Sequence, residues 1–229
     1  MAVISLQHKY LFIQTPRTAC TAIAQGVLIP KCDGMTYPPA TVLDKRGQIL
    51  MDQKHCTLGQ LFLYNIVTPN ELEPFLKFST IRNPFDSIAS EYVKQRHTYA
   101  SMLEQPTTWV HRFPGYAEDM RFAADHSFTE WVDRKWRRRF PRSVIRGRRN
   151  AAAGESGWQD GVDFVMRYER LQTDFDDALA RIGFEPIAIP RLNETAERGT
   201  DYRQYYTPTA QSIIEDVYAD ILSRYGYTF

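Results

Sequence analysis

A turn between a buried strand and a helix holds the first residues that could do chemistry. In "YLFIQTPRTACTAIAQGVL", residues 10–28, an apolar run stops at Thr-Pro-Arg and resumes as a helical pattern. Unpaired N–H groups at a helix start bind anions, and the planar guanidinium of Arg17 suits tetrahedral oxyanions. The residues expected to contact an anion here are Arg17, Thr18, Ala19, Cys20, Thr21 and Ala22. The alternative is a plain strand-turn-helix in which a threonine only caps the helix.

A second cation stands at the end of another predicted strand. "STIRNPFDSIASEY" places Arg82 at the strand tip and Ser90 eight residues later, on the following helix. An arginine at a strand end and a serine that faces back over the first helical turns can hold a phosphate. Two such junctions predict a ligand with two separated anionic groups. In the alternative, Arg82 pairs with Asp86, and Ser90 only tolerates a buried helix face.

Strands and helices alternate along the chain. The predicted strands are 9–15, 75–82 and 163–171, and the predicted helices are 18–28, 55–66, 83–95, 127–140, 172–183 and 209–226. Alternation of this kind predicts an α/β fold with a central parallel sheet flanked by helices. Ligands of such sheets bind outside the carboxyl ends of the strands, so Arg17, Arg82 and the 167–169 segment could meet in space. No break in composition divides the chain, and we expect a single domain over residues 1–229.

The charge distribution is more informative than the total charge. The chain has 229 residues and a formal net charge of +1, which favours no particular partner. From Arg134 to Arg149, however, nine of sixteen residues are Lys or Arg. This basic run predicts a solvated helix face or a grip on an acidic acceptor. Because no recognised nucleic-acid motif accompanies it, we expect no nucleic-acid partner.

Three further features bear on the compartment. No apolar stretch reaches about 18 residues, so we expect no membrane span. The start, "MAVISLQHKYLFIQT", is typical of a strand and not of a signal peptide. Three cysteines at unequal spacings fit a reducing compartment, and we therefore expect a cytoplasmic protein. Nothing in the sequence predicts an oligomeric state.

Four segments, in this order, resemble the sulfotransferases that use 3′-phosphoadenosine-5′-phosphosulfate (PAPS). "TPRTACTAI" is similar to their 5′-phosphosulfate loop, in the form with alanine for glycine seen in glycan 2-O-sulfotransferases. "IRNPFDSIASEY" is similar to their 3′-phosphate motif. "FVMRYERLQTDFDDALARIGF" resembles the strand and helix after the substrate region, and "YRQYYTPTAQSIIEDVYADILSRYGYTF" resembles the C-terminal helix. The resemblance covers nearly the whole chain, is weakest across 98–160, and implies a P-loop-NTPase-like sulfotransferase fold.

The resemblance implies a donor site without a metal. The turn from Arg17 to Ala22 would hold the 5′ end of PAPS, and Arg82 with Ser90 would hold the 3′-phosphate. Arg198, in the loop "NETAERGTDYRQYY", is a further candidate for contact with that phosphate.

The resemblance also implies a base and an acceptor region. His55, in "DQKHCTLGQL", stands just before a predicted helix, and a histidine in a comparable segment acts as the base in glycan-type relatives. A neutral imidazole with an ordinary pKa of about 6.5 suits that work. Without the resemblance, His55 is as consistent with a capping or surface histidine. Residues 98–160 would form an insertion that binds the hydroxyl-bearing acceptor, a saccharide or another small molecule.

One position departs from the family pattern. The family usually has lysine where Arg17 stands, and that lysine is held to stabilise, and to protonate, the leaving phosphate oxygen. Arginine can neutralise the charge, but it is a poor proton donor because its pKa lies far above neutrality. A non-catalytic binder of sulfonucleotides or anionic glycans therefore stays an alternative. A nucleotide kinase or other phosphotransferase is another, although the turn lacks the GxxxxGK[ST] pattern of a nucleoside-triphosphate P-loop.

Overall fold

The computed structural model describes residues 2–138, 156–192 and 201–229. The described residues form two compact units, Met1–Arg82 with Glu155–Glu194, and Asn83–Gly154 with Thr195–Phe229. Among these residues, no helix is both long and apolar enough to cross a membrane. The single domain over 1–229, with 98–160 as an acceptor-binding insertion, stays a prediction.

A mixed sheet forms the centre of the first unit. The strands are β1 (Ala2–Ser5), β2 (Tyr10–Ile13), β3 (Met35–Tyr37), β4 (Val42–Leu43), β5 (Ile49–Met51), β6 (Leu76–Ile81) and β7 (Phe164–Arg167). Five of them form one sheet in the order β3-β1-β2-β6-β7, and β4 pairs with β5 separately. The three strands predicted from sequence, β2, β6 and β7, run parallel. β1 runs antiparallel to β2, because the four-residue turn 6–9 between them can only close a hairpin, and it also pairs antiparallel with β3.

Helices of the first unit lie on both faces of this sheet. In chain order, the helices of the two units are α1 (Cys20–Ile23), α2 (Ile29–Lys31), α3 (Leu58–Leu63), α4 (Pro84–Val93), α5 (Tyr116–Asp125), α6 (Phe128–Val132), α7 (Leu171–Arg181), α8 (Pro208–Val217) and α9 (Ala219–Tyr225). Of these, α4, α5, α6, α8 and α9 belong to the second unit. On one face, Ile23 of α1 and Phe175 of α7 pack with Phe12 and its neighbours. On the other, Leu61 of α3 packs with Leu11. Successive residues of β2 thus point into two separate cores, as the period of a strand requires.

Capping residues begin three helices at or near their predicted starts. Asn83 accepts a hydrogen bond from the backbone N–H of Phe85 (3.1 Å), which caps α4 as predicted. Thr57 with Gln60, and Ser127 with Glu130, form reciprocal capping boxes that begin α3 and α6. π-Helical turns then continue α1, α4 and α6 over Ala24–Leu28, Lys94–Thr98 and Asp133–Arg138.

Several predicted boundaries differ from the structure; the strand predicted at 163–171, for example, ends at Arg167. The helix predicted at 18–28 begins only at Cys20, because Arg17 and Ala19 take left-handed conformations that no helix can contain. The C-terminal helix predicted at 209–226 is broken at Tyr218 into α8 and α9. α5 lies in a stretch where the sequence shows no clear periodicity.

Aromatic side chains fill the core of the second unit. The ring of Phe85 lies edge-on to the rings of Tyr206 and Phe229, with 5.6 Å and 5.1 Å between the ring centres. The Tyr206 hydroxyl donates to the backbone carbonyl of Phe85 (2.9 Å). Both the start of α4 and the C-terminus are therefore held within this unit.

Candidate active site

Two adjacent strand ends bring the two predicted cations together. β2 and β6 are parallel neighbours in which Ile13 is paired with Ser79, so the segments that follow leave the same edge of the sheet. A guanidinium Nη1 of Arg82 donates a hydrogen bond to the backbone carbonyl of Arg17 (2.9 Å). The structure therefore joins the Arg82 side chain directly to the turn that carries Arg17.

The Arg82 side chain is buried, and its guanidinium stacks on the Tyr168 ring. Only 7% of the residue is exposed, and the guanidinium carbon lies 4.1 Å from the centre of the Tyr168 ring. Burial lowers the pKa of Arg82, and the neighbouring Tyr168 and Glu169 partly oppose that effect. An arginine keeps its proton even so, which leaves a buried, oriented cation at the strand end. Tyr168 directly follows β7, as expected for the 167–169 segment.

The turn before α1 is held in an unusual backbone conformation. Arg17 has φ of 65° and Ala19 has φ of 58°, both in the left-handed region, although neither is glycine. Such residues cost about 1–3 kcal/mol each and persist only where the surroundings force them. Left-handed residues within a turn also direct successive N–H groups into a concave nest that binds anions. No side chain caps α1, so the backbone N–H groups at its start are not satisfied in that way.

The side chains of this turn do not all face outward. The Thr18 hydroxyl donates to the backbone carbonyl of Thr15 (2.8 Å) and is hydrogen-bonded to the Thr80 hydroxyl. Thr18 is buried, and its contact with an anion stays a prediction. Cys20 and Ala22 are buried as well, and burial raises the pKa of the Cys20 thiol. Thr21 is half-buried.

His55 lies against the end of β2. Its Nδ1 is 3.0 Å from the backbone carbonyl oxygen of Gln14. Because a carbonyl can only accept, this contact assigns the proton to Nδ1 and leaves the lone pair on Nε2. The backbone of His55 is held at both ends: its N–H donates to Asp52 Oδ2 (3.2 Å), and its carbonyl accepts from Trp158 Nε1 (3.3 Å).

The environment keeps the His55 ring neutral. Burial lowers the pKa of His55 to about 3, and the positive charges of Lys54 and Arg17 contribute, while the Gln14 carbonyl acts in the opposite direction. The residue as a whole is half-buried. At neutral pH, His55 therefore presents an unprotonated Nε2, fixed in one tautomer.

Two residues of this site were not predicted from the sequence. Gln159 is buried, and its Nε2 donates to the Thr80 carbonyl (2.8 Å) and the Thr15 hydroxyl (3.2 Å). Trp158, next to it, supports His55 as described above. Both belong to the short loop before β7, whose letters, "GWQDG", indicate only a turn.

Comparison with known protein families identifies the family of this chain. The family model described as "Sulfotransferase family" matches residues 1–228. The chain belongs to the sulfotransferase family. Searches of curated proteins and of solved structures found no match. The chain is therefore a transferase enzyme of sulfuryl groups, and PAPS is the donor that this family generally uses.

The remaining candidate residues of the sulfotransferase are placed as follows. Ser90 is a buried residue of α4, in the second unit. Arg198 lies outside the described residues, and so does most of the basic run 134–149. Within the described part of that run, Lys135 forms an ion pair with Glu91 (2.6 Å). In the described part of the chain, no three His, Cys, Asp or Glu side chains form a group that could hold a metal ion.

Proposed function

We propose that this sulfotransferase moves a sulfuryl group from PAPS to a hydroxyl of an acceptor, a saccharide or another small molecule. The observation that carries the proposal is the joining of two cationic elements, the strained Arg17 turn and the buried Arg82 guanidinium, at one edge of the sheet. A sulfonucleotide with anionic groups at both its 5′ and 3′ positions is the ligand class that fits such a pair.

The Arg17 turn is proposed to bind the 5′ end of the donor. Backbone N–H groups of residues 18–21 and the Arg17 guanidinium would surround the phosphosulfate oxygens, whereas the N–H of Ala22 already donates to the Ala19 carbonyl (2.9 Å). When bound, PAPS supplies a sulfuryl group attached to a phosphate leaving group. Arg17 would neutralise the negative charge that develops on the bridging oxygen as the sulfur–oxygen bond breaks. It would do so without giving up a proton, because arginine is too weak an acid at neutral pH.

Arg82 is proposed to bind the 3′-phosphate of the donor, with Ser90 and Arg198 as additional contacts carried over from the family resemblance. A guanidinium has five N–H donors in one plane, a geometry that suits the oxygens of a phosphate, and one Nη1 donor of Arg82 contacts the Arg17 carbonyl. Stacking on Tyr168 fixes the plane in which those donors lie. The Arg82 side chain would therefore lose little conformational entropy when it binds the 3′-phosphate.

His55 is proposed as the general base. Its Nε2 lone pair would accept the proton of the acceptor hydroxyl while the hydroxyl oxygen forms its bond to sulfur. With a pKa of about 3 in the free protein, the imidazole is a weak base. A polyanionic nucleotide beside Arg17 and Lys54 would offset the positive charges that lower this pKa, so the base strengthens when the donor is bound.

Nucleotide binding and radiolabelled transfer test the proposal together. Calorimetry should show that the product nucleotide, 3′-phosphoadenosine-5′-phosphate (PAP), binds much more tightly than AMP or ATP. With ³⁵S-labelled PAPS, the enzyme should label at least one member of a panel of glycans, phenols and alcohols without added magnesium. Equal affinity for PAP and AMP would reject the two-phosphate site, and transfer from ATP would point to a kinase.

A further inference from the structure

Four buried polar side chains link the Arg17 turn to the end of β6. Thr18 is hydrogen-bonded to the Thr15 carbonyl and to the Thr80 hydroxyl. Gln159 Nε2 donates to the Thr15 hydroxyl (3.2 Å) and to the Thr80 carbonyl (2.8 Å). We call Thr15, Thr18, Thr80 and Gln159 the loop clamp. It ties the turn to the strand that ends at Arg82, and it brings in a fourth side chain from the loop before β7.

The clamp lies in the protein interior. Thr80 is completely buried, Thr18 is 1% exposed and Gln159 is 5% exposed. Hydrogen bonds in such a dry environment are electrostatically stronger than in water, and they are costly to break because the freed groups stay unsolvated. The buried hydrogen bonds of the clamp can therefore hold the turn in an unfavourable backbone conformation more strongly than solvent-exposed hydrogen bonds would.

The backbone of the turn is strained. The left-handed conformations of Arg17 and Ala19 lie on either side of Thr18, the residue that the clamp holds. Without Thr18 fixed in place, right-handed or extended conformations would be favoured at both neighbours. The residue that the clamp holds, Thr18, therefore lies between the two strained residues.

Gln159 gives independent support, because it is poorly suited to a purely structural role. Its Oε1 is buried and has no hydrogen-bond partner among the described residues. An unsatisfied buried oxygen is destabilising, so an apolar side chain would serve the core better. The Nε2 donors to two separate segments are what this residue contributes.

We propose that Thr18, Thr80 and Gln159 are positioning residues of the transfer reaction, which hold the Arg17 turn in its strained, donor-binding conformation before any donor arrives. The proposal rests on the donor site proposed above. It assigns a function to the side chain of Thr18, and to Thr80 and Gln159, that differs from contact with the ligand. Its consequence is that loss of the clamp should weaken donor binding through the conformation of the turn alone.

The test compares Thr80→Val and Gln159→Met with two matched controls. Thr80→Ser keeps the hydroxyl, and Ser79→Ala removes the neighbouring hydroxyl on β6, which is buried but has no hydrogen-bond partner in the described chain. We expect Thr80→Val and Gln159→Met to raise the Kd for PAP and the KM for PAPS by about tenfold, the worth of one buried hydrogen bond. Turnover at saturating PAPS should change much less. Both controls should behave like the wild type.

Hydrogen exchange separates this proposal from the donor site on which it rests. In the nucleotide-free protein, the amides of residues 17–22 should exchange faster in both clamp variants, while those of β2 and β6 should not. Unchanged exchange in the turn would overturn the proposal even if no variant binds PAP, whereas failure of the wild type to bind PAP would reject only the donor site. If Thr80→Val does not fold, Gln159→Met with Ser79→Ala decides the question.

Discussion

The guanidinium of Arg82 donates to the backbone carbonyl of Arg17, across 2.9 Å and 65 residues of sequence. The bond is charge-assisted, which places it among the stronger hydrogen bonds of a protein, and the donor side chain is buried. One cation thus contributes to the shape of the turn in which the other stands. Any ligand that bridges the two will meet a single preformed unit and not two independent contacts.

Replacing Arg82 should weaken nucleotide binding. Arg82→Ala removes charged hydrogen bonds, and we expect PAP to bind about 10- to 100-fold more weakly. Arg82→Lys keeps the charge, but it cannot both stack flat on Tyr168 and donate to the Arg17 carbonyl, so it should recover only part of the affinity. Isothermal titration with PAP measures both effects.

Arg181 provides a control for the loss of a stacked arginine. Its guanidinium carbon lies 4.2 Å from the ring centre of Phe164, at the opposite end of β7 from Tyr168. Arg181→Ala should leave the PAP affinity unchanged. If Arg181→Ala and Arg82→Ala weaken PAP binding equally, the effect of Arg82 is a general loss of structure and not the loss of a phosphate contact.

Replacing His55 should separate turnover from binding. In His55→Asn the side chain can still donate to the Gln14 carbonyl, but it has no basic nitrogen, so we expect kcat to fall by about 10²–10⁴-fold. The Kd for PAP should change by less than about threefold, because no bond from His55 to the nucleotide is proposed. His126 has the same contact between Nδ1 and a backbone carbonyl (3.0 Å, to Phe122), so His126→Asn is the matched control. Retained turnover in His55→Asn would remove the base assignment.

The low pKa of His55 predicts an acid-sensitive fold. Between its unfolded pKa of about 6.5 and its folded pKa of about 3, the unfolded chain binds a proton that the native protein does not. The unfolding free energy should therefore be intact above about pH 6.5 and should fall as the pH drops through this window. One such group contributes a slope of at most about 1.4 kcal/mol per pH unit.

Urea unfolding at pH 7, 6, 5 and 4 measures this slope. His55→Asn should show a smaller decrease with falling pH than the wild type, by up to that amount, since the variant side chain does not titrate. Parallel curves for the wild type and His55→Asn would mean that His55 has an ordinary pKa in the native protein.

The sequence predicts the ends of β2 and β6 well, because the signals there are local, whereas β7 ends four residues before its predicted end. Apolar runs that stop at polar or turn residues mark β2, β6 and β7, and the rule for parallel sheets then places Arg17 and Arg82 at one edge. The antiparallel pairing of β1 and β3 has no such signal. β3 is partly exposed and has no clear alternation, so its place in the sheet depends on β1.

The side-chain contacts inside the site cannot be predicted in the same way, because segments that are distant in sequence determine them. Thr18 faces inward only because its neighbours are left-handed, which no pattern of ordinary L-residues announces. Gln159 reaches Thr15 from 144 residues away. The tautomer of His55 depends on a backbone carbonyl, a group that every residue carries and that no residue type therefore reveals.

The indole of Trp158 should affect turnover through His55. Trp158 Nε1 donates to the His55 carbonyl, and Trp158→Phe removes that bond while keeping most of the packing. We expect kcat to fall by about three- to tenfold, in line with one lost hydrogen bond, with the Kd for PAP unchanged. The pH profile of kcat should also shift, because a less constrained ring titrates closer to an ordinary histidine. Equal losses in kcat and in PAP affinity would contradict a role confined to His55.

Substitutions at Arg17 should distinguish charge neutralisation from proton donation. The leaving phosphate has a second pKa of about 6, so at neutral pH it departs well without a proton and needs only a nearby cation. Arg17→Lys should therefore keep kcat within about threefold of the wild type, although lysine can donate a proton. Arg17→Ala should lose at least about tenfold in kcat, and Arg17→Gly, which relieves the strain at φ 65° but also lacks the charge, should lose as much. A gain of about tenfold or more in Arg17→Lys would instead show that proton donation limits the wild-type enzyme, and a smaller loss in Arg17→Gly than in Arg17→Ala would show that backbone strain, and not charge alone, determines how the turn performs.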